Sequence, residues 1–405
     1  MEKKIKILQL SPQFPFPMDD GGKISIGNLT KQFSNFGADI TLFCYSNNTI
    51  ANDLLEQAKK YCKIEIYQHS TKNTIYRILK SIIFNQSIYL SKHIDKKIQT
   101  KLKQILSKEQ FDIIHTDHTC MAPLAFYAQS LTNIPIGLRL HNIEWIIWKR
   151  YSQNIKSNLL KRHYINNQAE ILKIKEKEFI EKSDVTFTIS DIDLSRAKEI
   201  APKANIYSAP AGVDLEYWKP LEHIERNNKE LIIATTYKWI HNVDALKWFL
   251  DFVFPLVMKV FPDIQLTLLG KDPPTWLKHY YPQNLNVIGY VEDVRTYLNR
   301  ANIYIAPLFV GSGIRIKILE AMAMELPVIA TTVSAEGIKA TSSDGLFICD
   351  EPVAFANTIV QLIKTNSQTR ELGKSARNFI NEHFIWENTV KFILHEYSKL
   401  VISKK

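Results

Sequence analysis

Cysteine is scarce. The 405 residues hold four, Cys44, Cys62, Cys120 and Cys349, with no Cys-x-x-Cys pair. That pattern excludes a disulfide framework and a cysteine-based zinc site, and it suits a reducing cytoplasm. Glycine and proline are also few, 13 and 16, so no long low-complexity linker is expected. No long apolar run exists. The stretch 248–261 is interrupted by Asp251 and Lys259, and it falls short of the ~20 residues that span a bilayer. No transmembrane helix is expected. The opening stretch, MEKKIKILQLSPQF, has only a short apolar segment before Ser11 and Pro12, less than a signal-peptide core needs.

What is present is an ordinary globular composition, 45% hydrophobic and 23% charged, which excludes wholesale disorder and a coiled-coil rod. The length fits two or three domains at roughly 150 residues each. Net charge is +10 and unevenly spread. Residues 71–110 hold nine Lys or Arg against Asp95 and Glu109, and residues 149–162 hold five basic residues and no acid. Such a surface suits an anionic partner: acidic lipid, nucleic acid or a phosphorylated substrate. A solvated helix face is the plain alternative. No recognised nucleic-acid motif accompanies the charge, so nucleic acid is not expected.

Short β-branched runs alternate with helix-length amphipathic stretches. The first set of strands is read at 5–10, 40–43, 113–115, 136–140, 185–189 and 206–207. A second set is read at 231–234, 265–269, 287–288, 303–306, 328–331 and 346–349. Helices are read between them, among others at 24–36, 94–106, 243–260 and 316–324. This is the βαβ pattern of parallel sheets. The polar stretch after APAGVD (209–214) marks the boundary. The fold class is therefore α/β, with two Rossmann-like, doubly wound domains facing across a cleft. Ligands of such sheets bind at the carboxyl ends of strands.

The strongest local signal is IYIAPLFVGSGIRIKILEAMAME (303–325). A strand ends at Pro307, a loop carries Gly311, Ser312 and Gly313, and a helix opens near Ile314. Free N–H groups at a helix start favour phosphate. Arg315 and Lys317 stand at the end of the helix dipole that prefers acids, which a bound diphosphate would explain. Glu320 could accept two hydroxyls of a ribose. A helix start with solvated basic residues is the alternative.

Further segments carry the rest: FPFPMDDGGKISIGNL (14–29), RLHNIEW (139–145), FTISDIDL (187–194), WIHNVDALKWF (239–249), LLGKDPP (268–274), the long run 286–338, and FIWENTVKFILHEY (384–397). Together these segments resemble retaining glycosyltransferase family 4, of GT-B fold and bacterial surface-polysaccharide type.

The resemblance implies a sugar-nucleotide donor, held by Gly311, Ser312, Gly313, Ile314 and Glu320, with Gly22 and Lys238 contributing. Glu320 matches the second Glu of the family's E-x7-E motif, and Ser312 stands where many members have the first. Arg315 and Lys317 would hold the diphosphate. His141 matches the histidine that contacts the donor sugar. Asp20 and Gly21 would lie near diphosphate and acceptor, although Gly-Gly alone is an ordinary turn. Arg139, Asn142 and Glu144 would lie on the acceptor side; Glu144 reads equally as a helix N-terminal acid. Trp145 and Trp148 read as stacking groups or core.

The implied domains are 1–210 for acceptor, with a helix 384–405 crossing back, and 211–383 for donor. No metal and no organic cofactor are implied. The chain would work in the cytoplasm, peripherally on the inner face of the plasma membrane, transferring sugar to a glycan or lipid-linked glycan. Two other readings share the architecture: a nucleotide-sugar epimerase and a non-catalytic sugar-nucleotide-binding scaffold.

Overall fold

The computed structural model describes residues 4–403 apart from 19, 156, 157, 282 and 312. The chain divides into two compact units, Met1–Pro210 with Trp386–Lys405, and Ala211–Ile385.

The first unit is built on seven parallel strands: β1 (Lys6–Ser11), β2 (Asp39–Ser46), β3 (Lys63–Gln68), β4 (Ile113–Asp117), β5 (Ile136–Leu140), β6 (Val185–Thr188) and β7 (Ile206–Ser208). Their order is β3-β2-β1-β4-β5-β6-β7, so the winding reverses between β1 and β4. β3 was absent from the expected strands. Lys63 and Glu65 alternate with apolar residues on this edge strand, and they pair with Glu109 and Lys101. One face of the sheet is apolar, with Leu8, Leu10, Ile114 and Leu138 all buried. The other face turns polar toward the carboxyl ends, where the register lines up Gln9, His115 and Gly137, and next Asp117 and Arg139. The Gly21–Asn35 helix lies over this polar row, with Ser25 and Thr30 turned onto it. The Trp386–Ser403 helix also covers it, its Tyr397 fitting where Gly137 lacks a side chain.

The second unit holds six parallel strands: β8 (Glu230–Ala234), β9 (Gln265–Leu269), β10 (Leu285–Gly289), β11 (Ile303–Ala306), β12 (Val328–Ala330) and β13 (Leu346–Ile348). The order β10-β9-β8-β11-β12-β13 reverses between β8 and β11. Apolar side chains cover both faces, as a buried parallel sheet requires. The single helix expected over 243–260 is divided. Ile240–Trp248 passes through a π-turn at Phe249–Val253 into Phe254–Met258. Pro255, which has no N–H to give the preceding turn, stands just after the break.

Candidate functional site

In the first unit, functional side chains gather where the winding reverses. After β1 the chain reaches the Gly21–Asn35 helix, whose cap is Asp20: its Oδ1 accepts from Lys23 N at 2.9 Å. Gly22 opens the space beside it. A Cβ there would meet Gln13 Nε2 at 3.0 Å, Asp20 Oδ1 at 3.3 Å and His118 Nε2 at 3.9 Å. His118, just past β4, sits at φ 68°, and its Nε2 is buried without a hydrogen-bond partner. Free N–H groups of a helix start and an unpartnered imidazole therefore converge, an arrangement suited to an anion.

Beneath lies a buried charge cluster. His141 Nε2 stands 3.0 Å from Asp117 Oδ1. A carboxylate only accepts, and this contact is shorter than the 3.2 Å from Arg139 Nη1 to the same nitrogen, so Nε2 carries the proton and Nδ1 keeps the lone pair in the neutral ring. Asp117 Oδ2 accepts from Gln9 Nε2 at 2.7 Å. Burial by itself would raise the Asp117 carboxyl; His115 and His141 outweigh it and hold the group well below the usual range. Arg139 is fully buried, lies 5.8 Å from the Trp386 ring centre, and donates from Nη1 to Ser25 Oγ at 2.8 Å. The His118 and His141 rings stack with centroids 3.7 Å apart. Burial lowers both imidazoles, so the pair is neutral near pH 7.

Two buried acids follow. Glu144 opens the Glu144–Asn154 helix, and Glu176 comes from the Leu159–Lys182 helix. Glu176 accepts from Thr119 Oγ1 (2.9 Å), Glu144 N (3.0 Å) and Trp145 N (2.9 Å), capping the helix start that Glu144 occupies. Burial pushes Glu144 up to about 7, against hydrogen bonds from Tyr89 and Asn142. Burial and the neighbouring Glu144 push Glu176 up to about 8. Around neutral pH the pair holds a proton, because burial and the repulsion between the two carboxylates oppose ionising both.

In the second unit the counterpart is the segment after β11. Leu308 N donates to Ser334 Oγ at 2.9 Å, and Thr331 Oγ1 donates to Leu308 O, tying the loop to the end of β12. Gly311 and Gly313 take φ values of 148° and 79°, which side chains rarely adopt. The helix begins at Ile316, not near Ile314 as expected, so Arg315 is the cap of the Ile316–Ala323 helix and not a member of its first turn. Its guanidinium folds back over Gly311 and donates to Gly313 O at 3.1 Å. Lys317 stands 2.9 Å from Glu320 Oε2, an ion pair without hydrogen-bond alignment, and Glu320 is only 2% exposed. Burial raises the Glu320 carboxyl, and Lys317 opposes the rise. The basic residues at this helix start are thus partly offset within the chain, by a carbonyl and a carboxylate. In the same unit Lys238 lies over the Trp239 ring, and Asn242 Nδ2 donates to Thr236 O. His241 is held low by burial and by the charge of Arg315.

The structure brings His141 and Asn142 together with Glu144 and with Asp20, Gly21 and Gly22, all in the first unit. It brings Gly311, Gly313, Ile314, Arg315, Lys317 and Glu320 together in the second. Ser312 and Lys156 lie outside the described residues. One expectation is corrected: Arg139 does not face an acceptor. Its place in β5 turns it inward beneath the C-terminal helix, and it reaches solvent nowhere. The residues overlooked are Gln9, His115, Asp117, His118 and Glu176. The local signal was HisThrAspHis (115–118) at a strand end, three titratable groups in four residues.

Comparison with known proteins follows the same division. Residues 20–217 match the family model for Glycosyltransferase Family 4, and residues 229–365 match that for Glycosyl transferases group 1. The chain is 22% identical over 395 residues to an uncharacterized 44.6 kDa protein in the cps region of Klebsiella pneumoniae, covering 94% of this chain and 96% of that one. An uncharacterized glycosyltransferase of Methanocaldococcus jannaschii is 25% identical over 186 residues, 44% of this chain and 46% of its own. Among solved structures, sucrose-phosphate synthase from Thermosynechococcus elongatus has a TM-score of 0.77 at 17% identity, covering 99% of this chain and 100% of that one. Alr3699/HepE of Anabaena, in complex with UDP and glucose, has a TM-score of 0.66 at 14% identity, covering 97% and 99%. At such identities these likenesses concern the fold.

Proposed function

The chain belongs to the family 4 type of glycosyltransferases, with the GT-B fold, and from that premise we propose that it transfers a sugar from a nucleotide-sugar donor with retention of anomeric configuration. The observation that carries this reading is the unit 303–323: strand end, twisted glycine loop, helix start, two cations and a buried carboxylate. It offers an electropositive cradle for a diphosphate and, deeper, a carboxylate for paired hydroxyls. The Anabaena structure with UDP and glucose supports a sugar-nucleotide donor. The relative from the cps region supports a place in surface-polysaccharide synthesis, with a glycan or lipid-linked glycan as acceptor.

In the proposed step the acceptor oxygen bonds to the anomeric carbon as the bond from that carbon to the diphosphate oxygen breaks. The acceptor proton passes to the departing phosphate oxygen on the same face. Arg315, Lys317 and the amides of the 311–314 loop stabilise the leaving diphosphate. His141, its Nε2 proton fixed by Asp117, contacts the donor sugar. Side-chain cations supply the positive charge, so transfer should persist in a chelator.

The test is a thermal-shift panel of UDP-, GDP-, ADP- and dTDP-sugars with Arg315→Ala and Glu320→Ala alongside. Ligand at about 100 times its dissociation constant stabilises by about 2.7 kcal/mol. A shift with one nucleotide class, lost in both variants, supports the reading. No shift with any nucleotide, in folded protein, counts against it.

A further inference from the structure

The Ile75–Ile83 helix is inside out. Its apolar stripe faces solvent: Ile75 is 77% exposed and Ile83 74%, with Tyr76, Leu79, Ile82 and the following Phe84 also exposed. Arg77 and Ser81 turn toward the protein, while Lys80 stays exposed. Arg77 Nη1 donates to Ser70 O and Lys72 O, both at 2.8 Å, and Ser81 Oγ meets Tyr164 OH at 2.8 Å. A helix normally buries the stripe and exposes the charges. Beside the stripe an apolar pocket of about 650 Å³ opens, walled by Ile78, Ile82, Ile147, Trp148 and Leu160, with Lys161 among its lining residues. Leu159 and Leu160, 75% and 86% exposed, extend the apolar surface across the start of the Leu159–Lys182 helix.

We propose that this face docks on an anionic lipid bilayer and that the pocket takes the hydrocarbon chain of one anionic lipid. Charge selects this occupant. Lys80, Arg150, Lys161 and Arg162 lie on the three helices that make the face; Lys149 joins them but pairs with Glu170 at 2.8 Å, the first acid of the 159–182 helix. Basic residues around an apolar stripe fit a surface whose interior is hydrocarbon and whose head groups are anionic. A second copy fits poorly, because a two-fold contact sets each basic rim against its like. Tyr76 and Tyr151 are amphipathic rings of the kind that settle at a membrane interface. The pocket volume lies within the range of small-molecule sites.

The pocket also adjoins the polar cluster of the first unit. The Glu144–Asn154 helix begins at Glu144 and lines the pocket with Ile147, Trp148 and Tyr151, roughly 4–11 Å further along at 1.5 Å per residue. Tyr89, hydrogen-bonded to Glu144, meets Trp148 edge-on at 6.5 Å. If the proposed transfer is right, a lipid seated there presents its head group one or two helical turns from the acceptor side.

The experiment is flotation of the full chain with vesicles of phosphatidylcholine alone and of phosphatidylcholine mixed with phosphatidylglycerol. We expect binding to the mixed vesicles, weakened about fivefold for each charge lost in Lys161→Ala and Arg162→Ala. Leu79→Glu with Ile83→Glu should abolish it; both residues are exposed, and an unchanged circular-dichroism melt confirms the fold. Brominated phosphatidylglycerol should quench tryptophan fluorescence, and Trp148→Phe should remove most of that quenching. Indifference to anionic lipid, or flotation unchanged by the double substitution, overturns the proposal. So does a dimer in lipid-free solution that the double substitution dissolves, since a second copy then covers the face. Quenching unchanged by Trp148→Phe overturns the pocket assignment. A protein that shifts with a nucleotide sugar yet ignores vesicles sinks this inference alone. One that binds vesicles and no nucleotide sinks the transferase reading alone.

Discussion

His141 reaches Asp117 at 3.0 Å, Nε2 to Oδ1, and Arg139 Nη1 stands 3.9 Å from that same oxygen. One buried carboxylate thus sets the tautomer of a ring at the edge of the site and neutralises an arginine that never reaches solvent. Asp117→Asn keeps the shape and removes the charge. We expect a stability loss of about 3 kcal/mol, the scale for breaking one side of a buried pair, read from urea unfolding. Turnover should fall about 10- to 100-fold with donor KM little changed, as for other groups that orient a functional side chain. Because the Asp117 bond raises the His141 pKa against burial, the acid limb of the pH–rate profile should move to lower pH in the variant. An unmoved profile would leave Asp117 a merely structural role.

Stability should form a plateau in pH. Glu144 and Glu176 rise from 4.5 to about 7 and about 8 on folding. The folded state therefore holds protons that the unfolded chain has lost, and stability falls as pH rises toward 8. His93 drops from 6.5 to about 3 and His118 is also lowered, both chiefly by burial, so stability falls as pH drops below 6.5. Between 4.5 and 6.5 the two effects oppose. Melting temperature against pH should be flat there and decline on either side. Glu176→Gln should flatten the alkaline decline; an unaltered slope would show that the acid pair does not cause it.

Gly311 leaves the space that Arg315 fills. A Cβ at Gly311 would collide with the guanidinium, and φ of 148° disfavours any side chain. Gly311→Ala should cost about 1–3 kcal/mol in backbone strain and expel Arg315 from its bond to Gly313 O. Calorimetric titration with the nucleoside diphosphate should show binding about tenfold weaker, the loss of one charge-assisted contact worth ~1.4 kcal/mol. Unchanged affinity would separate Arg315 from the donor.

Gly137 is the matching notch in the first unit. A Cβ there would overlap the Tyr397 ring, whose OH meets His115 Nδ1 at 2.6 Å. Gly137→Ala should lower stability by about 1–3 kcal/mol through overpacking. Tyr397→Ala on that background should restore part of it, and additive losses in the double variant would refute the contact.

The strands and the donor loop were legible because each rests on neighbours in sequence: β-branched runs, a proline at a strand end, two glycines before a helix. β3 was not, since its alternating Lys63 and Glu65 look solvated until their partners from the 96–108 helix and Glu109 are in place. The break in the 240–258 helical stretch was also missed, although Pro255 stands where its second helix begins. Asp117 was illegible for a deeper reason. Its meaning depends on sheet register, which pairs it with Arg139 and sets it two residues beyond His115, the partner of the distant Gln9. Glu176 caps a helix that begins 32 residues before it, a relation fixed only by how two helices pack.

The covering of Gly137 and Arg139 by Tyr397 and Trp386 has a consequence for the order of synthesis. Residues 4–210 leave the ribosome before the helix that covers this polar row. The entire 211–385 unit is translated before the covering helix arrives. Domains generally fold as they emerge, N-terminal first; here the first unit is completed only after the second has been made, and until then Gly137 and Arg139 lack their cover.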